Sequence, residues 1–304
     1  MRPPPDFAAA VLMVRPAAFG WNPETAATNG FQRPIDGEAA RAALGEFDRA
    51  AQRLAAAGVE VTIWEDTPTP AKPDAIFPNN WVSTHPGGRV VLYPMLTPSR
   101  RAEVRPELVD GLGRDFAITE VIDLRAAAGG RCLEGTGSLV IDAAAGTVYA
   151  AWSPRTDPGL TAEWAALFGL EVVGVDARDP AGAPIYHTNV ILSLGAGFSV
   201  CALDRIADDG ARARLAERLA ARGELLALGD AQVEAFAGNL LQLRDRAGGP
   251  ALALSTTALA ALTPADRRLL ERHSALVPLE IPTIEVAGGG SARCMLAENF
   301  LERR

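Results

Sequence analysis

Histidine and cysteine are scarce in this chain, with three of each among 304 residues. Cys132, Cys201 and Cys294 are odd in number, widely spaced and free of any CxxC pair, which argues against a disulfide framework and for a reducing, cytoplasmic setting. The histidines are equally scattered, so there is no zinc-ligand spacing and no metal site is expected. A dinucleotide fingerprint is also missing, and no organic cofactor is expected. Basic charge is short as well. The 29 Lys and Arg against 37 Asp and Glu leave −8, without the field that draws in phosphate, which argues against a nucleic-acid or membrane-surface partner. No apolar run approaches the roughly 20 residues that span a bilayer. Residues 1–6 lack the apolar core of a signal peptide.

What is present is an ordinary globular composition, 48% hydrophobic and 22% charged. Strand-like runs are expected at 8–15, 59–64, 80–85, 89–95, 117–123, 137–142, 147–151, 171–175, 190–194, 198–202, 225–228, 240–244, 251–255, 276–277 and 281–284. Helical spacing is expected at 38–57, where Gly58 supplies a C-cap, and at 157–168, 207–222, 232–237, 264–273 and 295–301. The element order repeats about five times and no low-complexity linker interrupts it. This favours one α/β domain over residues 1–304, built from ββαβ-like units.

Three loop-like segments carry chemistry. Cys294 directly follows Gly288-Gly289-Gly290-Ser291-Ala292-Arg293, and glycines let backbone N–H groups converge on a bound group. A lone cysteine is more often a small buried hydrophobe than a nucleophile, and Cys132 and Cys201, beside strand-like apolar residues, keep that role. His187 lies in Tyr186-His187-Thr188-Asn189 and Glu134 in Leu133-Glu134-Gly135-Thr136-Gly137-Ser138. A carboxylate beside an imidazole orients it and stabilises its cation, so Cys, His and Glu in separate loops suggest covalent catalysis. His85 and His273 fall in no motif and are expected to be structural or at the surface.

Six motifs in order resemble the guanidino-group-modifying enzymes, the pentein or amidinotransferase-like superfamily. They are Pro73-Asp74-Ala75-Ile76-Phe77-Pro78-Asn79-Asn80, Pro98-Ser99-Arg100-Arg101, Leu133-Glu134-Gly135-Thr136-Gly137, Ser153-Pro154-Arg155-Thr156-Asp157, His187-Thr188-Asn189 and Cys294. The glycine run with Phe77-Pro78-Asn79-Asn80-Trp81 looks most like the bacterial citrulline utilization hydrolases. The resemblance implies a five-bladed, pseudo-fivefold α/β propeller with its site in the central channel. It implies Cys294 as nucleophile, His187 as acid and base, and Glu134 as the group that orients His187. It further implies that Arg100 and Arg155 hold a substrate α-carboxylate, for which a planar guanidinium fork is suited, and that Asp74 takes the α-ammonium. The partner would then be a free amino acid; self-association into a homo-oligomer is left open.

The chain departs from relatives that act on cationic guanidines. Asn79, Asn80 and Asn189 stand where such relatives have carboxylates, and Gly289 where some have an acid. An amide offers both donors and an acceptor without charge, which suits a neutral ureido group. The expected activity is therefore hydrolysis of citrulline to ornithine, ammonia and carbon dioxide, with the oxyanion stabilised by N–H groups of residues 288–291 or by amides such as Asn80. The rivals are an arginine deiminase or dimethylarginine dimethylaminohydrolase, an amidinotransferase, and a non-catalytic binding protein on the same fold.

Overall fold

The computed structural model describes residues 7–304; residues 1–6, expected to carry no leader, lie outside them. The strands are β1 (Ala10–Arg15), β2 (Glu60–Glu65), β3 (Val82–His85), β4 (Arg89–Leu92), β5 (Glu120–Asp123), β6 (Leu139–Asp142), β7 (Thr147–Ala151), β8 (Glu171–Val175), β9 (Leu192–Gly195), β10 (Phe198–Cys201), β11 (Glu224–Ala227), β12 (Leu241–Arg244), β13 (Pro250–Ser255), β14 (Ala275–Leu279) and β15 (Ala297–Asn299). They form five three-stranded sheets: β3-β4-β5, β6-β7-β8, β9-β10-β11, β12-β13-β14 and β15-β1-β2. Each of the first four is an antiparallel hairpin followed, after a helical crossover, by a parallel third strand. A tight turn can join antiparallel strands, whereas a parallel neighbour needs a crossover, and this sets the ββαβ order. The fifth sheet takes one strand from near the C-terminus, since β15 pairs antiparallel with β1 and β1 pairs parallel with β2.

The helices follow local rules. Asp36 caps helix Gly37–Ala56 by accepting from the N–H groups of Glu38 and Ala39, and Ala43, Phe47, Ala50 and Leu54 make its buried stripe. Gly58, at φ +85°, turns the chain into β2. Asp157 caps helix Pro158–Phe168, which buries Leu160 and Trp164. The hydrophobic cores lie between the sheets and their flanking helices, as in the cluster of Leu133, Val148, Leu160 and Trp164.

The inner strands are β3, β6, β9, β12 and β15. Single helical turns at Pro78–Asn80, Gly135–Ser138, Thr188–Val190 and Ala292–Met295 lead into four of them. Gly238-Asn239 leads into β12. The loops that carry chemistry therefore gather at one end of the propeller axis. Farther along the same strands lies a separate cavity, lined by His85, Leu192, Leu194, Arg293, Glu298 and others.

Two expected elements are of the other type. Residues 281–284, expected as a strand, open helix Pro282–Gly288. Pro282 can sit in the first turn of a helix without losing a needed N–H, and Glu46 accepts from the N–H groups of Thr283 and Ile284. Residues 295–301, expected as a helix, contain β15, because pairing with β1 outweighs a weak local preference. Helix Pro106–Asp115 was not anticipated from its spacing. No helix among the described residues is long and apolar enough to cross a membrane.

Candidate active site

Cys294 sits in the helical turn Ala292–Met295, at the edge of a narrow cavity. Asp74, Asn80, Arg100, Arg155 and His187 line the same cavity. Five of the six residues expected to bind substrate thus meet Cys294 or this cavity, counting Asn189, whose amide lies against the sulfur. Asn79 is the exception. It is fully buried but set back from the cavity, and both polar atoms of its side chain lack partners. Gly289 adopts φ +61°, and a Cβ there would run into Asn29 and Gln32, so the position where some relatives have an acid accommodates only glycine.

Glu134 lies one contact behind the cavity. Its carboxylate accepts from Nε2 of His187 at 2.8 Å and from the N–H of Leu96 at 3.1 Å. Burial alone would raise its pKa, but Arg155, His187 and Arg100 hold it well below the usual carboxylate range. An ionised carboxylate only accepts, so Nε2 of His187 carries the proton and Nδ1 keeps its lone pair. A Cβ on Gly137 would lie 2.7 Å from that Nδ1 and closer still to Nδ2 of Asn80, so the missing side chain at Gly137 leaves the space that both groups flank.

The resting site is less charged than Glu134 alone would make it. Burial pushes His187 down to about 4, with Arg155 and Arg100 acting in the same direction, and this outweighs the pull of Glu134. Burial likewise pushes the Cys294 thiol up, against the opposing effect of the Ser291 backbone, Asn239, Arg293 and Asn189. Imidazole and thiol are both neutral at pH 7. Burial raises the other two thiols as well, and Cys201, within β10, is pushed up to about 12.

Arg100 forms a buried, two-pronged pair with Glu103 at 3.0 and 2.9 Å and donates to Oδ1 of Asn80 at 2.7 Å. Its guanidinium lies 3.7 Å from Glu134. Arg155 donates to the carbonyl of Thr25 and to Oγ1 of Thr28. These last contacts belong to residues 16–36, a loop that roofs the cavity and that sequence reasoning left unassigned. From it Asn22 and Thr25 donate to Asp74 at 2.7 and 2.9 Å, while Asn29 and Gln32 donate to the carbonyls of Gly289 and Gly288. Its sequence signal is a set of amides and hydroxyls, Asn22, Thr25, Asn29 and Gln32, spaced through a loop rich in Pro and Gly. Asn239 was also missed: its Nδ2 lies 3.3 Å from the sulfur. Among the described residues no group of three or more His, Cys, Asp or Glu is placed to hold a metal ion.

A family model described as N,N dimethylarginine dimethylhydrolase, eukaryotic, matches residues 15–301. The chain belongs to this family. Membership makes it a pentein hydrolase that acts on non-peptide C–N bonds. Solved structures share the fold. The N-terminal domain of ArgZ, a cyanobacterial arginine dihydrolase of the ornithine-ammonia cycle, in a substrate-bound variant, superposes at TM-score 0.74 with 16% identity, over 97% of each chain. The apo structure of ArgZ gives 0.74 over 95% of this chain but only 40% of its own, so this chain spans well under half of that protein. A dimethylarginine dimethylaminohydrolase variant in an adduct with S-methyl-L-thiocitrulline gives 0.68 with 12% identity, over 96% of this chain and all of its own. A search of curated proteins by sequence returns no match. The family's dimethylarginine chemistry and the ArgZ arginine chemistry are properties of those proteins.

Proposed function

We propose that this hydrolase acts on the neutral ureido side chain of a free α-amino acid, with citrulline as substrate and ornithine, ammonia and carbon dioxide as products. The observation that carries the reading is the amide of Asn80. Its Oδ1 is committed to Arg100, whose guanidinium only donates, so its Nδ2 is a donor by necessity. That Nδ2 is buried and has no partner, in a residue that lines the cavity beside Cys294. An unpaired buried donor is costly, and a carbonyl oxygen satisfies it. Citrulline has that oxygen; a guanidinium, which only donates, does not. Asn189 and Asn239 add amides, not carboxylates, around the sulfur.

In this mechanism Sγ of Cys294 attacks the ureido carbon as its proton passes to Nδ1 of His187. Asn80 and the N–H groups of Gly290 and Ser291 receive the developing oxyanion, since the N–H of Gly289 is committed to the carbonyl of Glu285. His187 gives the proton to the departing δ-amine, which leaves as ornithine and an S-carbamoyl cysteine. His187 then takes a proton from water, whose oxygen adds to the carbamoyl carbon. The thiol is regenerated, and the released carbamate yields ammonia and carbon dioxide. Arg100 and Arg155 are assigned to the substrate α-carboxylate and Asp74 to its α-ammonium, which replaces the donors that Asn22 and Thr25 now supply.

The test is a panel of citrulline, arginine, dimethylarginine and agmatine, with and without an added amine acceptor, products being identified by mass spectrometry. Citrulline should exceed arginine in kcat/KM by roughly 10²-fold or more, the cost of an unneutralised cation in a partly desolvated pocket. Asn80→Asp should shift preference toward arginine and impair citrulline turnover. A wild-type preference for arginine or dimethylarginine overturns the reading, and transfer to the added amine would make the enzyme an amidinotransferase.

A further inference from the structure

Asn239 belongs to none of the motifs above, yet its side chain touches the sulfur. It is wholly buried and stands two residues before β12, where Asn80 stands relative to β3. Its amide is fixed from two sides. Oδ1 accepts from the N–H of Arg293 at 3.0 Å, and Nδ2 donates to the carbonyl of Asn189 at 2.9 Å. A backbone N–H only donates and a carbonyl only accepts, so the orientation cannot be reversed. Thus fixed, Nδ2 also donates to Sγ of Cys294 at 3.3 Å. The Asn189 amide is farther away, at 3.6 Å through Nδ2, which it shares with the carbonyl of Thr136.

The backbone around Asn239 is unusual. Phe236 is the one non-glycine residue with positive φ among the described residues, at +60°, and its carbonyl accepts the N–H of Asn239. A Cβ on Gly238 would collide with the carbonyl of Val190. A strained phenylalanine and an obligatory glycine together bring Asn239 against the sulfur, and such strain persists where the surrounding structure enforces it.

We infer that Asn239 is a catalytic residue whose amide N–H binds the sulfur of Cys294 and stabilises the thiolate, both as it forms during attack and as it departs from the carbamoyl group. This rests on the covalent-cysteine reading above and adds no reagent to it: the thiol proton still moves to Nδ1 of His187 as the S–C bond forms. A hydrogen bond to sulfur strengthens as charge develops there. The charged and titratable groups facing the sulfur are Asp74, Arg100, Arg155, Tyr186 and His187 in the same cavity and Arg293 beside it in the chain. Glu134 lies behind His187. None of them donates a side-chain hydrogen bond to Sγ among the described contacts, and His187 is neutral before attack, so the amides are the donors already placed on the sulfur.

The decisive measurement is the pH dependence of Cys294 carbamidomethylation by iodoacetamide, followed on the Cys294 peptide by mass spectrometry. Asn239→Ala should move the midpoint upward by about one pH unit and slow alkylation at pH 7 about tenfold. Asn239→Asp keeps an oxygen for the N–H of Arg293 but replaces the donor with a negative charge, and should move the midpoint further. A purely structural Asn239 would lower the melting temperature and leave the midpoint in place. A folded Asp variant with the wild-type midpoint overturns the assignment, as does failure of both variants to fold. Alkylation needs no substrate, so a failure of citrulline turnover would count only against the proposed substrate.

Discussion

Cys294 and His187 are both neutral before substrate arrives, because burial at each outweighs the neighbours that favour charge. A site of this kind gains its ion pair only as the sulfur attacks. The sequence marked Cys294, His187 and Glu134 as candidates because each lies in a short motif, and the fold brings them together, but it could not reveal protonation, which depends on how deeply the fold encloses them. Asn239 was illegible for a related reason: one asparagine after a glycine carries no signal until the sulfur is beside it. Two outcomes follow at this scale. Cys294→Ser should lose nearly all turnover with its melting curve unchanged, whereas Cys132→Ser and Cys201→Ser should retain activity; an active Cys294→Ser enzyme would sink the covalent mechanism. The mechanism also needs His187 neutral in the free enzyme. With its pKa pushed down to about 4, the acid limb of kcat/KM should fall as pH drops through about 4, not near the ordinary histidine value of about 6.5. A rate profile with its acid limb at 6.5 would place His187 in a far wetter environment.

The helical turn Gly135–Ser138 shows how an element, and not its side chains, shapes the site. Glu134 enters it and β6 leaves it, while Gly137 within it has no Cβ and so admits Asn80 and His187. Gly137 has no positive φ, so alanine suits its backbone and any harm comes from the contact alone. Gly137→Ala should therefore fold but displace Asn80 and His187, lowering kcat/KM by about 10²-fold or more, since misplacement of about an ångström has that effect. Gly146→Ala is the contrast. That glycine has φ +62° and open space around it, so its substitution should cost about 1 kcal/mol of stability and leave kcat/KM alone. Equal loss of activity in both would mean that stability, not the contact, governs the effect. Elements were legible where period and caps agreed, as in Gly37–Ala56 with Asp36 and Gly58 at its ends. They were misjudged where distant pairing decides: residues 297–299 are a strand because β1 needs a partner, which nothing within the segment announces.

Across the whole molecule, folding buries two of the three histidines, His85 and His187. His187 lies at the catalytic end, and His85, on β3, is packed against Trp164 and Phe168 with its Nε2 on Ser83. Burial pushes His85 down to about 3, aided by Arg89, and His187 down to about 4. Both folded-state values lie below the unfolded value of about 6.5. Between these limits the unfolded chain binds protons that the folded chain refuses. The contribution to stability is thus complete above about pH 6.5 and declines as pH falls, by about 1.4 kcal/mol per pH unit for each histidine once well below 6.5. Down to pH 4 each loses about 3 kcal/mol, and the pair together a large part of the 5–15 kcal/mol typical of a folded domain. Below about 4.5 the depressed Glu134 adds to the loss with the same sign. The histidine contribution to urea midpoints measured from pH 8 to pH 4 should therefore be level above 6.5 and fall steeply below it, against the opposite contribution of Glu103, Glu285 and Glu298, whose carboxyls burial pushes up. His85→Gln, which changes a residue outside the cavity at Cys294, should remove about one proton from that slope and leave the acid limb of kcat/KM in place, because the proposed acid–base group is His187. An unchanged slope in His85→Gln would mean that His85 takes up its proton within the folded state, and acid sensitivity would then belong to the catalytic end only.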